Sequence, residues 1–355
     1  MRRRLNLIIK LAIGLAFVIG VGYQLLHERD LSLMWVNFKA NWAVDKAWLI
    51  FLAVGLMPVC WLLESAKWKL LMKSQYRMTL KEALRAVLGG ISISLFTPNR
   101  IGEYGGRLLF VPAKHNWWAV VATLVGSFAQ NLVNIAIGLI GVMVFLLFMP
   151  ELPYAFRSGL GVLVVISLCV GIAVYFHMPS VGRFIGRINV PKWLSKPQRA
   201  FAMLNKVHVP DLTGALALSF LKYVVFCSQF LMMLAYFGVE VPVVWMMSGI
   251  AVMYLMQTSV PLPPFVDVMV RSELVILLWA SFAVNELSVF AASFFIWIIN
   301  LLIPAFFGLM AISTINVLQS LGYETKVNQS YTDGTISHSA DRVIRTSSDQ
   351  PRAGD

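Results

Sequence analysis

Charged residues are scarce in this chain. Only 13% of its 355 residues are Asp, Glu, Lys or Arg, while 59% are hydrophobic, and the mean hydropathy is +0.75. Soluble domains carry about 25% charged residues, so this scarcity excludes an ordinary soluble domain and indicates an integral membrane protein. The net charge is +12, but the basic residues stand between hydrophobic segments, as they do in cytoplasmic loops. Nucleic acid is therefore not an expected partner.

Cysteine and histidine are also few. The three cysteines, Cys60, Cys169 and Cys227, each lie in an apolar run, and their spacing fits neither a disulfide framework nor a metal site. We expect all three to be buried as small hydrophobic side chains. No two of the five histidines are spaced like catalytic or metal partners, and no nucleotide-binding loop is visible. We therefore expect no metal and no cofactor.

Long apolar runs fill most of the remaining sequence. A bilayer core about 30 Å thick needs roughly 20 helical residues to cross it. The Lys and Arg residues between the runs place both termini in the cytoplasm, and Lys67 is counted among the loop cations after the second crossing. The six predicted crossings are residues 5–26, 47–63, 117–149, 159–177, 212–239 and 287–315.

Three parts follow from this layout. Residues 1–46 are predicted to form an N-terminal anchor helix and an outer loop, and residues 47–315 a membrane domain. Residues 316–355 are polar and are expected to form a disordered cytoplasmic tail. An N-terminus held inside by arginines suits a bacterial inner membrane.

The most polar stretch inside the membrane domain follows a proline break. The apolar run 83–96 would rise only about 21 Å as a helix, which is too short to cross. Thr97 and Pro98 end it, and a second short segment, 100–111, carries Glu103 and Arg107. Two half-helices that enter and leave on one side fit this pattern, and such broken backbone is tolerated where it is buried in protein.

A second break of the same kind occurs later in the chain. The short run 243–258 is cut by prolines, and Asp267 and Arg271 follow with the same spacing as Glu103 and Arg107. The loop charges assign the two hairpins to opposite sides of the membrane. The prediction is an all-α polytopic protein with six crossings and two re-entrant hairpins in an inverted repeat (halves about 47–177 and 212–315), which is typical of transporters.

Intramembrane charges mark functional sites by default, but pairing is also how they survive in lipid. One interpretation is therefore that each acid–arginine pair neutralises itself. The other is that the arginines bind an anionic head group, since guanidinium matches phosphate, while the acids orient them. The candidate substrate-binding residues are Arg100, Glu103, Arg107, Lys222, Asp267, Arg271 and Glu273; the candidate structural residues of the motifs are Thr97, Pro98, Gly102, Pro261 and Pro264.

Lys222 lies deep in a predicted crossing without an acid at helical spacing. Snorkelling, an anionic ligand, or a partner from another segment such as Glu103 or Asp267 would each explain it. Polar amides in the crossings (Gln130, Asn131, Asn134 and Asn300) are expected to hold helices together.

The segment T-P-N-R-I-G-E-Y-G-G-R, Thr97 to Arg107, resembles the lysylphosphatidylglycerol synthase transmembrane region, a flippase-like membrane domain. That family has a T-P-x-R-x-G-E-x-x-x-R type segment. The resemblance implies translocation of a lipid, with an anionic phospholipid or lipid-linked intermediate as the expected partner.

The sequence departs from the family pattern in three places. The second proline segment, 261–267, has no glycine. The crossing after the first motif lacks an acid–arginine pair at 127–131. About 40 polar residues follow Ile315, fewer than a usual domain needs, so the aminoacyl-transferase domain of the family is not expected. Two alternatives to translocation remain open: a membrane enzyme with Glu103 or Asp267 as base, and a non-catalytic partner of a lipid-modifying enzyme.

Overall fold

The structure is a computed structural model of the chain. It describes residues 46–95, 97, 101–147, 153–188, 191–260, 264–282 and 284–315, together with the isolated Val36 and Lys39. The predicted anchor helix at 5–26 and the predicted tail at 316–355 lie outside these residues.

Every regular element in the described ranges is helical. Short 3₁₀ turns connect several helices, and a π-helical segment, Ile298–Leu302, joins the last two. The helices are α1 Trp48–Met72, α2 Leu80–Ser94, α3 Gly102–Leu108, α4 Asn116–Leu147, α5 Tyr154–Phe176, α6 Met178–Arg187, α7 Ser195–Ala202, α8 Val209–Tyr236, α9 Val243–Ser259, α10 Pro264–Leu278, α11 Glu286–Trp297 and α12 Ile303–Ser313.

Five helical stretches in the described part are long and apolar enough to cross a membrane. They correspond to the second through sixth predicted crossings, and the first lies outside the described residues. The polytopic all-α fold class is therefore confirmed. The stretches are Trp48–Met72, Ala113–Leu147, Tyr154–Phe176, Val209–Tyr236 and Glu286–Ser313.

The first proline break separates two short helices that pack side by side, as predicted. Helix α2 begins with a capping box, in which the Thr79 hydroxyl accepts from the Glu82 amide and the Glu82 carboxylate accepts from the Thr79 amide. At 15 residues, α2 rises only about 22 Å. Its neighbour α3 approaches closely because glycines line the contact: a Cβ on Gly106 would lie 2.6 Å from the carbonyl oxygen of Gly89.

The two halves of the described chain pack into each other reciprocally. Helix α4 of the first half lies along α9 of the second hairpin, and α12 of the second half lies along α2 of the first hairpin. Asn134 Nδ2 donates to Thr258 Oγ1 at 2.9 Å in the first contact, and Ser92 Oγ donates to the Ala305 carbonyl at 2.6 Å in the second. Each half therefore holds the hairpin of the other.

Helices α1 and α8 cross antiparallel at the centre of the bundle. Lys67 Nζ donates to Ser219 Oγ at 3.2 Å, and Gln229 Nε2, farther along α8, donates to the Ala53 carbonyl, nearer the start of α1, at 2.8 Å. Two apolar clusters flank this crossing: one is built mainly on α1, α2 and α4, and the other mainly on α8, α9 and α11. Polar and charged side chains line the space between the two clusters.

Candidate functional site

A cavity of about 350 Å³ lies between the two apolar clusters, where both hairpins meet the α1–α8 pair. Its volume is at the lower end of the range of small-molecule sites, about 300 to 1,000 Å³, and suits a head group rather than a whole lipid. Among its charged wall residues are Glu64, Lys67, Glu103, Lys222, Asp267 and Arg271.

Glu64 on α1 is the centre of the charge cluster. Its Oε2 lies 2.8 Å from both Lys67 Nζ and Lys222 Nζ, and its Oε1 accepts from Arg107 Nη2 at 3.0 Å. Three segments distant in sequence thus converge on one carboxylate that is 6% exposed. A buried carboxylate requires such partners, because desolvating a charge without compensation is strongly unfavourable.

Arg107 bridges the two carboxylates of the first hairpin region. It contacts Glu103 one turn back on α3 as well as Glu64, and its guanidinium carbon lies 5.5 Å from the centre of the Trp68 ring. Arg107 is 2% exposed and stands behind the cavity wall. Its ion-pair contacts are with the two acids. Among the described residues, the cations at the wall itself are Lys67, Lys222 and Arg271.

The second hairpin repeats the acid–arginine pair. Asp267 and Arg271 form an ion pair one turn apart on α10, and Gln257 Nε2 of α9 donates to Asp267 Oδ2 at 2.8 Å. Both pairs predicted from i,i+4 spacing are therefore formed, and both contribute to the same cavity.

Amide side chains form much of the uncharged polar wall. Asn134 and Asn300 make interhelical hydrogen bonds, to Thr258 Oγ1 and to Gln229 Oε1 respectively, at 2.9 Å each. Gln130 Nε2 donates to the Ser219 carbonyl at 3.4 Å. The predicted role in holding helices together is thus correct for these three, and all three also line the cavity together with Asn131.

Three of the five predicted structural residues, Thr97, Gly102 and Pro264, lie in the described part of the chain. Thr97 Oγ1 accepts from the Gly102 amide at 2.8 Å, which stabilises the start of α3. Gly102 cannot carry a side chain here, because a Cβ would lie 2.5 Å from the Ile93 carbonyl oxygen. Pro264 is the first residue of α10, a position that suits proline. Pro98, Pro261 and the predicted head-group residue Arg100 lie outside the described residues.

Glu273 does not belong to the cavity. It is exposed on α10 and is absent from the cavity wall, although its neighbours Asp267 and Arg271 line it. The helical periodicity explains this, since Glu273 is two residues from Arg271 and so points about 200° away around the helix. The geometry does not support its predicted role in substrate binding.

Sequence reasoning missed Glu64 and misassigned Lys67, whereas Lys222 has an acidic partner from another segment, as one of the predicted alternatives has it. Lys222 pairs with Glu64, and neither predicted acid, Glu103 or Asp267, is its ion-pair partner. Lys67 was predicted in a cytoplasmic loop, but α1 continues to Met72 and buries it at 2% exposure. The usable signal was the run W-L-L-E-S-A-K-W, in which Trp61, Glu64 and Trp68 share one helical face.

Cys169 also departs from its prediction. Cys60 and Cys227 are buried as expected, whereas Cys169 is exposed. It lies on α5, whose apolar surface is mostly uncovered by the rest of the described protein and faces lipid in a membrane. An apolar run alone cannot distinguish a face that packs on protein from one that contacts lipid.

Comparison with known protein families agrees with this architecture. The profile of the family described as Lysylphosphatidylglycerol synthase TM region matches residues 8–308. The chain belongs to this family. The resemblance of its first proline motif is thereby confirmed, and this member of the lysylphosphatidylglycerol synthase TM region family is a multi-pass membrane protein. No curated protein and no solved structure matches the chain.

Proposed function

We propose that this protein translocates an anionic lipid or lipid-linked intermediate across a bacterial inner membrane, with both termini in the cytoplasm. The observation that carries the proposal is the charged cavity within the helical bundle, to which both hairpins contribute residues. Buried charge inside a membrane domain marks a substrate pathway by default. The family contributes the context of a membrane domain linked to lipid chemistry.

The two-hairpin arrangement fits alternating access. Broken helices that meet between two structural halves form the substrate sites of many transporters, and movement of one half against the other exposes the site to each side in turn. Here the antiparallel α1–α8 pair and the reciprocal hairpin contacts are the relations that an inverted repeat requires. The head group would occupy the cavity while the hydrocarbon chains stay in lipid.

The carboxylates support translocation better than catalysis. Glu103 is ion-paired with Arg107. Asp267 is ion-paired with Arg271 and accepts a hydrogen bond from Gln257. A general base must be free to take a proton from the substrate, whereas these two acids are engaged in holding arginines. In this proposal Asp267 positions Arg271 at the cavity wall, while Glu103 is held by Arg107 behind the wall.

Transport by the purified protein in vesicles tests the proposal. Vesicles containing a fluorescent phosphatidylglycerol are treated with an impermeant quencher, which bleaches only the outer leaflet unless lipid is exchanged. The wild type should make nearly all of the probe accessible. Arg271 is one of the cations at the cavity wall. Arg271→Gln should therefore slow this exchange at least about tenfold, as expected for the loss of one charge-assisted hydrogen bond to the head group.

Arg183→Gln is the matched control, because Arg183 is an exposed arginine on α6 that donates to Ser180. It should exchange lipid at the wild-type rate. Wild-type vesicles that protect half of the probe, as protein-free vesicles do, would refute translocation of this lipid. Substituting Arg100 in the same assay tests the predicted contribution of that residue.

A further inference from the structure

The charged side chains of the cavity wall and Arg107 behind it together carry one net positive charge among the described residues. Four cationic side chains (Lys67, Lys222, Arg271 and Arg107 behind the wall) stand against three carboxylates (Glu64, Glu103 and Asp267) among the described residues. The surplus belongs to the Glu64 cluster, since Asp267 and Arg271 neutralise each other. A ligand with one negative charge would bring the described site to neutrality, which lowers the unfavourable free energy of charge inside a membrane.

Lys222 is the cation of this cluster that is least neutralised. It shares Glu64 Oε2 with Lys67, so one carboxylate oxygen serves two ammonium groups. Lys67 has a second polar partner in Ser219 Oγ. The Lys222 ammonium has further contacts with the Trp61 and Phe226 rings, whose centres lie 5.1 and 5.4 Å from its Nζ. An ammonium has three N–H donors, so Lys222 retains donors for a phosphate oxygen.

The uncharged wall offers unused acceptors. The side-chain carbonyl oxygens of Gln130 and Asn300 accept no hydrogen bond within the described chain, although Asn300 is only 8% exposed. Asn131 is exposed to the cavity and has no hydrogen-bond partner among the described residues. Phosphate esters ionised at neutral pH have only acceptors, so these carbonyl groups require a different part of the ligand, one that donates.

We propose that the cavity selects a lipid whose head group combines one phosphodiester with neutral hydroxyl groups, and that it discriminates against cationic head groups. Lys222 binds the phosphodiester, and the amide wall, Asn131 above all, binds the hydroxyls. An ammonium could also satisfy the carbonyl acceptors, but it would add positive charge beside Lys222, which Glu64 neutralises only in part because it also serves Lys67. This inference rests on the proposed function only in taking the cavity as the lipid site.

Direct binding of three short-chain lipids to the full chain in detergent, measured by native mass spectrometry, tests the selectivity. Dioctanoyl phosphatidylglycerol has one negative charge and two hydroxyls, phosphatidylmethanol has the charge alone, and the lysine ester of the former has a net positive charge. The first should bind at least about tenfold more tightly than either of the others, the difference expected for the loss of one or two well-placed polar contacts.

Three variants assign the contacts. Lys222→Met should weaken both monoanionic lipids at least about tenfold, by loss of a charge-assisted hydrogen bond, while Lys222→Arg should retain their binding. Asn131→Leu should reduce phosphatidylglycerol to the affinity of phosphatidylmethanol and leave the latter unchanged. Lys73→Met is the control for a lost lysine, since Lys73 is half exposed and pairs with Asp211 away from the cavity.

Two results would overturn the inference: equal binding of the lysine ester, or equal affinities in Lys222→Met and Lys73→Met. The vesicle assay separates this failure from that of the proposed function. Selective binding without lipid exchange would refute translocation and retain the selectivity. Exchange of all three lipids at one rate, with no selective binding, would refute the selectivity and retain translocation.

Discussion

Glu64 is the residue on which the charged cluster depends. Its two oxygens serve Lys67, Lys222 and Arg107, and these residues come from α1, α8 and α3. Removal of one partner from a buried ion pair typically destabilises by about 3 to 5 kcal/mol, because the remaining charges stay desolvated. Here a single substitution would leave Lys67 and Lys222 without a carboxylate partner among the described residues, and Arg107 with Glu103.

We therefore expect Glu64→Gln to lower the apparent melting temperature of the detergent-solubilised protein by several degrees or to prevent its accumulation in the membrane. The double variant Glu64→Gln, Lys222→Met should recover part of the loss, because it removes one cation together with the carboxylate. Fluorescence-detected size-exclusion chromatography after heating measures both. A single variant as stable as the wild type would contradict the central position of Glu64.

Arg107 gives a second test at this scale. Arg107→Ala leaves Glu64 and Glu103 without their shared guanidinium, so we expect a loss of stability comparable to that of Glu64→Gln. Adding Glu103→Ala should restore some of it, because Glu103 is the carboxylate left without its ion-pair partner, whereas Glu64 retains Lys67 and Lys222. The coupling energy from the double-mutant cycle is the measurement, and a value near zero would indicate that the Arg107–Glu103 pair contributes nothing.

Among the individual residues, the sequence predicts ion pairs within one helix but not those between helices that are distant in the chain. The pairs Glu103–Arg107 and Asp267–Arg271 could be predicted, because both partners lie on one helix and spacing alone brings them together. The pair of Glu64 with Lys222 could not, since 158 residues separate them and no local pattern relates α1 to α8. Lys67 was misassigned because apolar runs define where a helix is hydrophobic, and α1 remains helical beyond that point.

At the scale of the helices, the α2–α3 contact leaves no room for an added side chain at Gly106. Helix α3 has only seven residues, so its position depends on packing rather than on its own helical stability. A Cβ added at Gly106 would meet the backbone of Gly89 and Gly90. A Cβ added at Gly105, one residue earlier, would have no atom within 4 Å outside its own helical turn. Alanine substitutions at these two neighbouring glycines therefore distinguish the effect of a steric clash with α2 from the effect of helix propensity.

Gly106→Ala should destabilise the protein and reduce lipid exchange, because its Cβ would lie 2.6 Å from backbone atoms of α2 that cannot move independently. Gly105→Ala is the matched control and should be neutral or stabilising by up to about 1 kcal/mol, the propensity difference between the two residues. Melting temperatures and exchange rates of the two variants are compared side by side. Equal effects would mean that the close approach is not required.

The sequence indicated the α2–α3 hairpin through its proline and glycines, but not its register. Which glycine faces the neighbouring helix depends on how α3 is rotated about its own axis, and the composition of the segment does not determine that rotation. The π-helical turn at Ile298–Leu302 is a comparable case. It carries Asn300 into the cavity wall, and the uninterrupted apolar run around it predicts only a continuous helix.

For the molecule as a whole, composition and the proline breaks were sufficient to predict a polytopic helical bundle with short broken helices. Hydrophobic length determines which segments cross, since the backbone must satisfy its own hydrogen bonds in lipid. The cavity could not be predicted in this way, because it depends on contacts between halves that are distant in sequence. The opposite orientation of the hairpins remains a prediction.

Cysteine labelling tests that orientation. In a background in which Cys60, Cys169 and Cys227 are replaced, Arg100→Cys should react with an impermeant maleimide from the cytoplasmic side and Pro263→Cys from the outer side. Intact and permeabilised cells distinguish the two. Labelling of both positions from one face would show that the halves are not inverted. Residues 100 and 263 are suitable because each marks one predicted break.

Reciprocal packing has a consequence for how the protein can be divided. Because α9 of the second half completes the environment of α4, and α12 that of α2, a fragment ending after α6 would present the apolar groove meant for its partner. Fragments 1–190 and 191–355 should each be degraded when produced alone and should accumulate as a complex when produced together. Fragment complementation would then show that the half-protein is not an independent folding unit.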